Sequence, residues 1–136
     1  MIILIDDDHT LRSALATILR DDGHEVREYA SPENVPSLGA LDGAGVLVTD
    51  YDMPGMDGLT FADRFHANYP AVPVVLITAC PTRTLEREAA VRSFLSVQRK
   101  PFDYDHLHAH LHALGAPAKA GTSAPSPAGT CANGGG

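Results

Sequence analysis

Residues 2 to 5 read Ile-Ile-Leu-Ile, with no polar side chain among them, and three aspartates, Asp6, Asp7 and Asp8, follow at once. A run of four is far too short to span a membrane, and a strand with one wet face would alternate instead of staying apolar throughout. Continuous short runs of this kind, rich in β-branched residues, belong to strands buried on both faces of a parallel sheet. This constrains everything downstream, because a parallel neighbour is reached only through a crossover of a dozen or more residues, usually a helix.

The rest of the chain supplies such crossovers. Leu11, Leu15, Ile18 and Leu19 recur at helical spacing, and Gly23 stands where a helix ends, so the spacing predicts a helix over 9–21. A second strand over 25–29 centres on Val26. Ser31-Pro32-Glu33 then has the form of an N-cap with proline at the first helical position. The short helix predicted after it carries Val35, Leu38 and Leu41 on one face, with Pro36 and Gly39 opposing it. Val46, Leu47 and Val48 form a third strand, followed by a loop from Asp50 to Gly58 and a helix marked by Leu59, Ala62, Phe65 and Tyr69. A fourth strand over 74–78, a charged helix over about 82–92 and a fifth strand over 94–98 come next. Leu107, Leu111 and Leu114 then predict a last helix over 103–114, stopping at Gly115.

Alternating strands and helices imply right-handed crossovers and an α/β fold, a doubly wound parallel sheet covered on both faces. Residues 1–114 make one domain on this reading, and 115–136, nearly all Ala, Gly, Ser, Pro and Thr, are expected to form a disordered tail. A net charge of -7 with only two lysines, Lys100 and Lys119, opposes direct nucleic-acid binding. No run approaches the 18 apolar residues of a membrane span, and no basic, apolar leader precedes the first strand, so the expected location is the cytoplasm without a membrane association. Cys80 and Cys131 offer neither a disulfide framework nor a metal spacing.

Ligands of such sheets bind beyond the C-terminal strand ends. Asp6 and Asp7 leave the first strand there, Asp50 and Asp52 the third, Thr78 closes the fourth and Lys100 follows the fifth. Several carboxylates in one crevice either retain protons or bind a cation between them. Hard oxygen donors without histidine or cysteine favour Mg²⁺, which leaves coordination positions for a phosphate oxygen. A carboxylate so placed can attack a phosphoryl group, with a lysine and a hydroxyl steadying its other oxygens, roles that suit Lys100 and Thr78.

Four blocks now stand together in order: Ile3-Leu-Ile-Asp-Asp-Asp8, Asp50-Tyr-Asp-Met-Pro-Gly-Met-Asp-Gly58, Ile77-Thr78-Ala79 and Lys100-Pro101-Phe102. Over residues 1–114 the chain resembles the response-regulator receiver domains of two-component systems, single-domain chemotaxis regulators among them. The resemblance implies a flavodoxin-like (βα)5 fold with strand order 2-1-3-4-5. It implies that a sensor histidine kinase or phosphotransfer protein phosphorylates Asp50, and that the change switches a surface for a downstream protein target. It also implies that Asp7 and Asp50 ligate Mg²⁺ through their side chains, Asp52 through its backbone carbonyl and Asp6 through water, while Thr78 and Lys100 sense the phosphoryl group. Such a protein is a phosphoacceptor switch that assists its own phosphorylation and dephosphorylation, and not an enzyme in the usual sense.

The chain departs from the family pattern at Ser93-Phe94, where many receivers have Gly-Ala, and at Val97, where an aromatic switch residue is usual. A degenerate receiver used purely as a binding module is therefore an alternative. Asp50-Tyr51-Asp52 with Thr78 and Lys100 also resembles the signature of haloacid-dehalogenase phosphatases, although their nucleophile follows the first strand. Asp8 and Asp57 read as helix-start or turn residues and not as ligands. His106, His108, His110 and His112 form two i, i+4 pairs able to chelate Zn²⁺, but a solvated helix face is the simpler expectation.

Overall fold

A computed structural model describes residues 1–100 and 103–114, with Leu38 described by its backbone alone. Pro101, Phe102, the stop at Gly115, Cys131 and the tail expected over 115–136 lie outside the described residues.

The elements follow the predicted alternation: β1 (Ile2–Ile5), α1 (His9–Asp21), β2 (Val26–Tyr29), β3 (Val46–Asp50), α2 (Gly58–Asn68), β4 (Val74–Thr78), α3 (Arg83–Ala90), β5 (Leu95–Arg99) and α4 (Tyr104–Ala113). All neighbouring strands pair in parallel, in the order β2-β1-β3-β4-β5. The apolar runs are buried on both faces, as a parallel sheet requires, and the period of two divides them between two cores. Ile2, Leu4, Val46, Val48, Val75 and Ile77 face α1 and α4 through Leu15, Leu19, Leu107 and Leu111. Ile3, Ile5, Leu47, Val74 and Leu76 face the other way, onto Phe61 and Phe65 of α2 and Leu85 and Ala89 of α3.

Helix starts are set by side chains. Asp8, Asp57 and Thr82 each accept the backbone N–H three residues on, at 3.1, 2.8 and 3.1 Å, satisfying one of the amides a helix start leaves unpaired. Asp8 and Asp57 are thus caps, the plainer of their two readings.

One predicted helix does not form. Between β2 and β3 the chain makes two 3-10 turns, Pro32–Asn34 and Leu38–Leu41. The N–H groups of Asn34, Val35, Ala40 and Asp42 all bond carbonyls three residues back, on Ser31, Pro32, Ser37 and Gly39. Pro36 has no N–H to continue an α-helical ladder across the middle of the segment, and Gly39 adds backbone entropy. The apolar face is used all the same, since Leu41 is fully buried under the sheet.

Candidate functional site

β1, β3 and β4 end level with one another, because Ile5 pairs with Thr49 and Asp50 with Ile77. Asp6, Asp50 and Thr78 are therefore carried to the same rim, where they are 3%, 5% and 2% exposed. Lys100 reaches them from the end of β5, its backbone N–H bonded to the Thr78 carbonyl at 2.8 Å. Its Nζ lies 3.3 Å from Asp50 Oδ1 and 3.5 Å from Asp6 Oδ2.

The loop carrying the acidic residues of β1 is held by the backbone. The Asp8 N–H donates to Asp6 Oδ1 at 2.9 Å, and Arg12, one turn into α1, donates from Nη1 to the Asp6 carbonyl at 2.8 Å. Arg12 also pairs with Glu28 on β2, which in turn meets Arg20. Sequence reasoning missed Arg12; its place one turn past Asp8 was the only signal. Beyond β3 the loop returns so closely that the Gly58 N–H bonds the Tyr51 carbonyl at 3.1 Å. Any Cβ on Gly58 would collide with the Asp50 carbonyl and crowd Leu76 Cδ1, so glycine is required for α2 to start directly over the acidic rim.

Asp6, Asp7 and Asp50 each offer a carboxylate oxygen within 4.8 Å of the others. Two of the three are buried, and one lysine is too little charge to balance them. Burial first, and the Asp6 charge next, push the Asp50 carboxyl up to about 6 against the pull of Lys100. Burial likewise raises Asp6, opposed by the Asp8 amide and Lys100. Burial of Lys100 works against its own charge, but the summed attraction of Asp6 and Asp50 prevails and the net direction is upward. An all-oxygen set with surplus negative charge and an open side at exposed Asp7 fits a hard divalent cation such as Mg²⁺, which takes one or two carboxylates and keeps several waters.

Of the residues singled out from sequence, Asp6, Asp7, Asp50 and Lys100 converge on one spot, with Thr78 ending the adjoining strand. Asp52 lies in the loop after β3 with its side chain exposed, outside the carboxylate cluster. Val97 is half-buried on β5 opposite Leu76 and packs against the α2 and α3 core. Among the described residues no helix is long and apolar enough to cross a membrane.

Comparisons with known proteins bear on the family and the fold. The family model described as "Response regulator receiver domain" matches residues 2–112. The C4-dicarboxylate transport transcriptional regulatory protein DctD of Rhizobium meliloti is 33% identical over 106 residues, covering 78% of this chain and 23% of the relative. The cyclic di-GMP phosphodiesterase response regulator RpfG of Xanthomonas campestris is 33% identical over 107 residues, 74% of this chain and 28% of the relative. The chain thus spans only about a quarter of the length of these curated relatives. Among solved structures, the receiver domain of NtrX from Brucella abortus superposes with a TM-score of 0.74 at 27% identity, covering 84% of this chain and 97% of that one. The chemotaxis protein CheY4 of Vibrio cholerae shares the fold, with a TM-score of 0.75 at 22% identity over 83% and 96% of the two chains.

Proposed function

The chain belongs to the response regulator receiver domain family, and from that premise we propose that it is a phosphoacceptor switch in which Asp50 takes a phosphoryl group from a histidine kinase or phosphotransfer protein. The observation that carries the proposal is the position of Asp50: a buried carboxylate at the strand rim, clustered with the Asp6 and Asp7 carboxylates and 3.3 Å from the Lys100 ammonium.

At neutral pH the Asp50 carboxyl, at about 6, is largely ionised and can act as a nucleophile. One carboxylate oxygen bonds to phosphorus as the phosphorus–nitrogen bond of the donor histidine breaks, and the departing imidazole nitrogen takes up a proton. Lys100 offers positive charge to the phosphoryl oxygens, and the Thr78 hydroxyl, at the end of the next strand, can donate a hydrogen bond to them. Asp7 and Asp50, with the Asp52 carbonyl and with Asp6 through water, would hold Mg²⁺, which supplies the charge neutralisation that lets a phosphate approach three carboxylates. Phosphorylation replaces one negative charge at Asp50 by nearly two and adds acceptor oxygens, which draws Thr78 and Lys100 inward. Lys100 is bonded through its backbone to Thr78, so the ends of β4 and β5 respond together.

Incubation of the full chain with acetyl phosphate or phosphoramidate and Mg²⁺ tests the assignment by intact mass. One added phosphoryl group, absent from Asp50→Ala, is the expected outcome. Equal modification of Asp50→Ala, or a folded parent that takes up none, overturns it, and sustained multiple-turnover hydrolysis would favour a phosphatase instead.

A further inference from the structure

α1 ends in a Schellman arrangement: Gly23, at φ 95°, donates to the Arg20 carbonyl and His24 donates to the Leu19 carbonyl, at 3.0 and 3.1 Å. The residue after the glycine usually packs an apolar side chain inward; here that place is taken by His24, only 6% exposed. Its Nε2 meets His108 Nε2 of α4 at 3.3 Å, the rings lying edge to face at 5.4 Å. The cap residue Asp22 lies beside them, its Oδ2 3.9 Å from His108 Nε2. Tyr104, one turn before His108, stacks on the His108 ring and donates its hydroxyl to Asp22 Oδ2 at 2.7 Å. The cluster lies at the start of β2, the opposite end of the sheet from Asp50.

We propose that His24 and His108, with Asp22 as a third donor oriented by Tyr104, form a binding site for a divalent transition ion of the Zn²⁺ class. A separation of 3.3 Å is long for an N–H···N hydrogen bond. It is the bite a tetrahedral ion needs: bonds of about 2.0 to 2.1 Å set two nitrogens roughly 3.3 to 3.4 Å apart. The two nitrogens come from different elements, so the fold itself sets the histidine bite, and Asp22, 3.9 Å from His108 Nε2, must move to reach the ion. The tyrosine–aspartate bond is the kind of outer contact that orients a metal-binding carboxylate. Coordination through Nε2 puts the remaining proton of His24 on Nδ1, which has no hydrogen-bond partner among the described residues, so binding is weaker than at a closed four-ligand site. The i, i+4 pairs within α4 are not what the fold assembles: His108 turns to His24, and His110 Nε2 is engaged by Ser96 Oγ at 2.8 Å.

Calorimetric titration of the full chain with Zn²⁺, in saturating Mg²⁺ so that the acidic rim is occupied, reads the site directly. One ion per chain is expected, with the thermal midpoint raised. His24→Gln and His108→Gln should each weaken binding about tenfold or more, and His112→Ala should leave it unchanged. His108 is on the surface side of the pair, so its variant keeps the test decisive if His24→Gln does not fold. Absence of Zn²⁺ binding, binding indifferent to His108→Gln, or loss on His112→Ala would each overturn the proposal.

Discussion

Asp50 is kept at the rim at a cost in stability. Its carboxyl sits at about 6 in the fold because burial and Asp6 disfavour the charge, whereas an unfolded chain holds it near about 3.9. A group raised in this way contributes stability in full below the unfolded value and loses it as pH rises through the folded one, so the metal-free protein is penalised above pH 6. At about 1.4 kcal/mol for each tenfold, the penalty at neutral pH is at most about 3 kcal/mol. Asp50→Asn is therefore expected to stabilise the protein by about 1 to 3 kcal/mol at pH 7.5 in EDTA, with the gain vanishing towards pH 4. Urea unfolding of both proteins across that range checks it; a gain that does not change with pH would refute the electrostatic cause. Asp6, Asp7, Asp50 and Lys100 were readable as residues because each sits at a strand end in a recognisable block. Arg12 was not, because its partner is the Asp6 carbonyl, a backbone atom that no residue type announces.

α2 and α3 lie on the same face of the sheet, and the segment after α3 clips them together. Arg92 grips both oxygens of Asp63 on α2, at 2.7 and 2.8 Å, and Glu88 on α3 at 3.0 Å, while His66 of α2 stacks on Phe94 at 3.8 Å. The two-point geometry is the stronger form of such a pair, but Asp63 is 46% exposed and water screens much of the attraction. Arg92→Ala should cost about 1 kcal/mol near pH 7. The Arg92 hydrogen bond holds the Asp63 carboxyl below the usual carboxylate range, so this stability is present above the unfolded value and fades as pH falls through the lower folded one. The gap between parent and Arg92→Ala should thus begin to narrow below about pH 4; thermal melts at pH 7 and pH 3 decide, and an unchanged gap at pH 3 would count against the ion pair. The elements themselves were legible wherever burial and period agreed. The exception, residues 31–41, shows the limit: its apolar spacing was helical, but Pro36 breaks the hydrogen-bond ladder while Leu41 still needs burial, and two tight turns satisfy both demands.

For the molecule as a whole, a cation that binds the folded rim and not the unfolded chain must stabilise the fold. Mg²⁺ at about 100 times its Kd should add about 2.7 kcal/mol, and Asp7→Ala should remove most of that increment while barely changing the metal-free melting temperature, since Asp7 is exposed. Differential scanning calorimetry with Mg²⁺ and with EDTA measures it; an equal Mg²⁺ increment in Asp7→Ala would place the ion elsewhere. The amino-acid order alone determined the doubly wound sheet and the residues at its rim, because short apolar runs and helical periodicity are local patterns and connection rules leave few topologies. Tertiary structure alone decided the contacts that no residue pattern announced: Arg12 with a carbonyl, and His24 with a histidine 84 residues away. Those contacts depend on register, on the turn at Gly23 and on how closely α4 packs, distances that arise only once the chain has closed on itself.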